Sequence, residues 1–264
     1  MKRSSIFWAI VLMGAGGLLL LNNMNVLRGN VWNYIWPTFL VFLGLWFIFS
    51  PLLFRGRLET RELAIPLEGA TAAKVVFKHG AGTLTVRRGM PGQLVSGSFG
   101  GGVEDVVERK SDQRAKVVLK VPGDIWVGAP WGYHTDGMKW DVALTDEIPL
   151  ALEFETGACR STIDLSGLNV VDFSLETGAS ETDVILSGES VFTKANVSCG
   201  AAKVRVTIPQ GVAARIRADA GLATVHVDSR FVKDDSGWES PDFATAAKKI
   251  ELEIETGMGA VEVL

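Results

Sequence analysis

Residues 152–165, LEFETGACRSTIDL, and residues 173–186, FSLETGASETDVIL, are two copies of one pattern. Each alternates apolar and polar residues, reaches a glycine, and resumes the alternation beyond it. Four other stretches fit the same frame: VVFKHGAGTLTV (75–86), ANVSCGAAKVRVTI (195–208), IRADAGLATVHV (216–227) and LEIETGMGAVEV (252–263). The glycines are Gly80, Gly157, Gly178, Gly200, Gly221 and Gly257, and the four from Gly157 to Gly221 are spaced 21, 22 and 21 residues apart. A fixed period of this size is the signature of a repeat architecture.

Three and five residues before each glycine stand apolar or small residues, such as Phe154 and Leu152, Leu175 and Phe173, or Ile254 and Leu252. Six residues after it a second apolar column runs through Val86, Ile163, Val184, Val206, Val227 and Val263. Period two on both sides predicts strand, glycine turn, strand, with one buried face. The glycine is expected to supply a turn conformation that a Cβ would penalise.

A second turn closes several units, written LSGLN at 165–169, LSGES at 186–190 and IPQGV at 208–212. Two architectures fit these signals: a parallel β-solenoid with equivalent side chains stacked from rung to rung, or hairpins in an antiparallel sandwich. Equal spacing and same-residue columns favour the solenoid, because stacking requires one unit to resemble the next. Under that reading Cys159 and Cys199 lie two rungs apart, too far for a disulfide. The segment SRFVKDDSGWESPDF (229–243) reads as an inserted loop, and strands are expected at 94–99, 115–121 and 140–154.

The N-terminal quarter is of another kind. Residues 6–21 and 31–54 are uncharged and apolar, and the polar stretch between them carries Arg28. The second run is long enough to cross a bilayer, and the first is not followed by a cleavage signal, so both read as transmembrane helices forming a hairpin. Trp32, Tyr34 and Trp36 at the start of the second span suit the membrane interface. Lys2 and Arg3 precede the first span, and Arg55, Arg57 and Arg61 follow the second, which predicts a two-pass protein with its N-terminus and C-terminal domain in the cytoplasm. The division is therefore residues 1–57, membrane hairpin, and 58–264, β domain.

Charge and reactive residues narrow the functional classes. The β domain holds 21 basic residues against all 30 acidic ones, a balance that opposes binding to nucleic acid. Cys159 and Cys199 have no zinc-ligand spacing, and His79, His134 and His226 are scattered singly and read as packed or surface residues. Two positions before the repeat glycines stand Glu155, Glu176, Ser198, Asp219 and Glu255, an acidic column better read as a solvated edge than as a cation cage. The stretch WVGAPWGYHTDGMKW (126–140) gathers Trp126, Trp131, Tyr133 and Trp140, a candidate partner surface or a cap over an exposed end. No GxSxG, P-loop, GxGxxG before a helix or HExxH occurs, so a non-enzymatic protein without a cofactor is expected.

The N-terminal spans, with Trp36, Pro37, Gly44 and Leu45 in a W-P-x₆-G-L arrangement, resemble the transmembrane region of LiaI/LiaF-like bacterial proteins. The glycine repeats, including PLALEFETGACRSTIDLSGL, resemble the LiaF-type toast-rack domain, which implies a β-solenoid-like fold. The resemblance implies a bacterial envelope-stress component that holds a sensor histidine kinase inactive until the cell wall is damaged. The expected partners are the lipid bilayer and another membrane protein such as a histidine kinase, met by the edges or aromatic loop of the β domain, or a second copy of the chain. That family looks like four spans where this chain shows two, and it carries no catalytic residue to transfer. An extracytoplasmic sensor of lipid or cell-wall material is the alternative.

Overall fold

The computed structural model describes residues 3–24, 32–53, 59–109, 112–123, 138–234 and 236–264. These fall into two compact units, one with the helices and one with the strands. The helices are α1 (Arg3–Asn23) and α2 (Trp32–Leu53). An apolar groove of about 540 Å³ lies between them, lined by Ile10, Gly14, Trp36 and Phe39 among others. Counting only residues whose side chains are described, neither helix offers a stretch long and apolar enough to cross a membrane.

The second unit is mainly β. In chain order its strands are β1 (Thr60–Pro66), β2 (Ala72–Arg88), β3 (Gln93–Gly100), β4 (Glu104–Arg109), β5 (Arg114–Lys120), β6 (Lys139–Leu144), β7 (Leu150–Asp164), β8 (Val170–Thr177), β9 (Glu181–Ile185), β10 (Phe192–Thr207), β11 (Ala213–Val227), β12 (Val232–Asp234), β13 (Gly237–Glu239) and β14 (Lys249–Val263). The expected strand over 140–154 is broken between β6 and β7, and the expected loop over 229–243 contains the β12–β13 hairpin.

Six repeat units lie side by side as parallel rungs: β2, β7, the pair β8/β9, β10, β14 and β11. Equivalent residues are in register, so Phe77 pairs with Phe154, Phe154 with Leu175, Leu175 with Val197, Val197 with Ile254 and Ile254 with Ala218. The last two rungs are out of sequence order: the C-terminal strand β14 lies between β10 and β11. Burial explains the exchange. Ile250, Leu252, Ile254, Val261 and Val263 of β14 are each at most 1% exposed, whereas Ala218, Val225 and Val227 of β11 stay half-buried at the end. Placing the bulkier apolar set inside and the alanine-rich rung outside removes more apolar surface from water.

The repeat glycines do not make turns of the expected kind. Five of the six lie inside continuous strands, and only Gly178 falls in a break, between β8 and β9. None of the six has a positive φ. What changes at the glycine is the buried face: Leu152, Phe154 and Thr156 point inward before Gly157, and Cys159, Ser161 and Ile163 after it. Two successive residues face out at the bend, so a strand whose side chains alternate can keep both arms around one interior.

Glycine is needed at the bend because rungs approach closely there. A Cβ on Gly157 would lie 2.2 Å from the Gly80 carbonyl oxygen, on Gly257 2.8 Å from that of Gly200, and on Gly221 3.0 Å from that of Gly257. The cause is contact between rungs, where conformational freedom at a turn was expected.

The core fills the bend. Phe77 stacks on Phe154 with ring centroids 4.6 Å apart and planes 2° from parallel, and Phe173 follows at 5.7 Å. At the first end, β5 covers residues 72–78 of β2 and β6 covers 83–88, and both carry antiparallel neighbours (β4, and β3 with β1).

Candidate functional site

The parallel register turns single outward positions into columns. Two residues before the bend the column reads, in stack order, Lys78, Glu155, Glu176, Ser198, Glu255 and Asp219. The acidic column of the sequence therefore exists, headed by a lysine and with its last two carboxylates exchanged. Lys78 Nζ donates to both carboxylate oxygens of Glu155, at 2.6 and 2.7 Å. That hydrogen bond holds the lysine above its ordinary pKa. Diagonally across the same two rungs Lys74 Nζ lies 2.6 Å from Glu153 and holds that carboxyl below the usual range. On the second arm Arg205 bridges Asp183 (3.1 Å) and Glu262 (3.0 Å) across three rungs.

A shallow groove of about 650 Å³ runs along this face beside the bend, lined by Lys78, Lys120, Glu155, Thr156, Glu176 and Ser198 among others. A second, of about 390 Å³, shares Glu176 and Ser198 and continues toward Glu253 and Glu255. Such a surface offers hydroxyls, carboxylates and paired lysines to a polar partner. Among the described residues no group of three or more His, Cys, Asp or Glu is placed to hold a metal ion.

Beneath the bend of the first rung lies His79, fully buried, with its ring 4.7 Å from that of Trp140. Neither ring nitrogen of His79, nor Nε1 of Trp140, has a hydrogen-bond partner among the described residues. Burial lowers the His79 pKa from 6.5 to about 4, so the ring is neutral at pH 7. In the unfolded chain the ring protonates near pH 6.5, and in the folded chain only near 4. Stability is thus complete above 6.5 and lost as pH falls toward 4, by about 3 kcal/mol at roughly 1.4 per pH unit. Denaturant titrations at pH 7, 5.5 and 4 should show this loss, and His79→Leu should remove that part of it.

The other predicted residues divide as follows. Trp140 is not a surface residue: it is fully buried and packs edge-on to Phe99 at 5.1 Å, because its β6 position faces the interior. Trp126, Trp131 and Tyr133 lie outside the described residues. The backbone of Trp32 and Tyr34 lies in the first turns of α2, and Trp36 is exposed and stacks with Phe39 at 5.8 Å. Cys159 and Cys199 are free and buried, and burial raises the Cys159 thiol pKa. Lys78 stands in the same frame, two residues before Gly80, yet was not legible as the head of the column, because in sequence the column shows itself through its carboxylates.

Bent parallel rungs stacked on a glycine seam, with two apolar helices preceding them in the chain, define a β-rack protein. The chain belongs to the toast-rack family: residues 54–207 match the family described as N-terminal domain of toast_rack, DUF2154. Residues 6–48 match the LiaI-LiaF-like transmembrane region, which makes this a LiaF-like, membrane-associated protein. Among solved structures, a candidate cell adhesion protein from Clostridium sporogenes ATCC 15579 is similar, with TM-score 0.70 and 21% identity over 78% of this chain and 99% of that one. A candidate adhesin from Bacteroides fragilis NCTC 9343 aligns over 79% of this chain and 97% of that one, at 9% identity and TM-score 0.32. No curated protein matches the chain.

Proposed function

We propose that the chain is a non-enzymatic regulator or scaffold of the bacterial cell membrane, anchored by two spans, whose β rack contacts another membrane protein such as a sensor histidine kinase. The rack is read as a short β-solenoid, and α1 and α2 as a hairpin with the rack and the N-terminus on the cytoplasmic side. The observation that carries this reading is the union in one chain of a LiaI-LiaF-like transmembrane region with a toast-rack domain. Affinity purification of the full chain from solubilised membranes should enrich a histidine kinase, and recovery of the chain alone would count against it.

A second reading, an extracytoplasmic sensor of lipid or cell-wall material, is favoured by the likeness to a candidate adhesion protein and by the open polar groove. Topology reporters fused at the C-terminus and within residues 22–30 separate the two. A C-terminus outside the cell overturns the cytoplasmic regulator.

A further inference from the structure

At the end of the first arm farthest from the bend, the rack carries an apolar hollow of about 240 Å³. Alanines of β2, β5 and β7 line it together with Pro149 and Val171, and so do three cations, Lys74, Arg114 and Lys116. No carboxylate lines it among the described residues, although acidic residues outnumber basic ones by 30 to 21 in the β domain. Lys74 and Lys116 face each other directly in the β2–β5 register, with Arg114 two residues along the strand, and like charges so placed destabilise a sheet. Their acidic partners lie at the surface: Lys74 reaches Glu153 at 2.6 Å, Arg114 reaches Asp112 at 3.5 Å, and Glu108 stands opposite Lys116 on β4. Exposed pairs of that kind offset little.

Beside the hollow, apolar side chains are turned outward. β8 has one residue more than β7 between Val170 and Asp172, and this bulge leaves Val171 exposed next to the exposed Asp172. The following turn exposes Val191 (76%) and Phe192 (44%), and Ser190 and Thr193, which flank them, both donate to the Val170 carbonyl at 2.7 Å. Among the described residues of the rack, Phe192 is the only exposed aromatic side chain.

We propose that this corner docks on the surface of an anionic bilayer, where Val171, Val191 and Phe192 enter the headgroup layer and Lys74, Arg114 and Lys116 meet lipid phosphates. An inorganic anion would answer the cations and leave the three apolar side chains in water, whereas a lipid surface answers both. A bilayer is also a constant neighbour of this chain, which carries a LiaI-LiaF-like transmembrane region. Docking requires negative headgroups and no particular leaflet, so it does not depend on which side of the membrane the rack lies.

The full chain, held one copy per nanodisc, tests this with a polarity-sensitive NBD label on Val191→Cys, since Cys159 and Cys199 are buried and stay unlabelled. In discs containing phosphatidylglycerol the label's emission should shift to the blue, and in discs of phosphatidylcholine alone it should not. Salt at about 1 M, where the screening length is about 3 Å, should reverse the shift. Arg114→Gln with Lys116→Gln removes two cations at about fivefold each and should lower the docked-to-free ratio about 25-fold. A label on Leu222→Cys, exposed at the other end of the stack, should stay in water in both discs. Equal emission at Val191→Cys in the two discs, a shift that survives Arg114→Gln with Lys116→Gln, or an equal shift at Leu222→Cys overturns the proposal. A shift that appears only when discs hold two copies or an added protein assigns the corner to a protein contact and overturns it as well.

Discussion

Gly259→Ala should destabilise the rack by about 4 kcal/mol, combining left-handed backbone strain of about 1–3 kcal/mol with overpacking of similar size. Gly259 has φ +120°, a conformation that L side chains rarely adopt, and a Cβ there would lie 2.0 Å from the carbonyl oxygen of Ala202. The residue has no room to yield, because β14 is held between β10 and β11 and Gly259 pairs with Ala202 on one side and Ala223 on the other. A loss of that size lowers the melting temperature by roughly 8–16 °C in a domain of this length. Gly80→Ala is the matched control: it lies in the outermost repeat unit, has no positive φ, and its Cβ would meet nothing within 4 Å. Its melting temperature should stay close to that of the wild type. Equal effects from the two substitutions would contradict close inter-rung contact as the cause.

Phe154→Ala should cost about 3–5 kcal/mol, the range for a buried aromatic truncated in a core that collapses only in part. The side chain is fully buried between Phe77 and Phe173 on the flanking rungs, so its removal opens a cavity lined by two rings that backbone pairing holds in place. Urea unfolding of the full chain would measure it. Xenon or benzene binding to the variant should recover part of the loss, since an apolar cavity of that kind stays dry.

The interior was legible in sequence because alternation has a direct physical meaning. Phe77, Phe154, Leu175, Val197 and Ile254 occupy one frame position, and all five are buried, each beside the next. Strand boundaries were less legible, since the run from Trp140 to Phe154 is interrupted between Leu144 and Leu150. Trp140 shows a further limit: aromatic content marks a residue as valuable to bury without saying whether its own chain or a partner buries it, and here β6 turned it inward. The acidic column was readable as a column, yet the pairing of Lys78 with Glu155 depended on which rung came to lie beside which.

Two features of one short stretch, ETGMGAVEV (255–263), separate the two levels of information. By itself the repeated frame determined that strand lies on both sides of Gly257 with Val263 inward, because period and phase are local properties of the chain. Only the tertiary structure decided that β14 enters between β10 and β11, because that choice compares the apolar surface two competing rungs remove from water. It also decided that Gly257 is required by the Gly200 carbonyl and Gly259 by both its φ and the Ala202 carbonyl, since a clash belongs to a pair of neighbouring rungs and no single rung carries it.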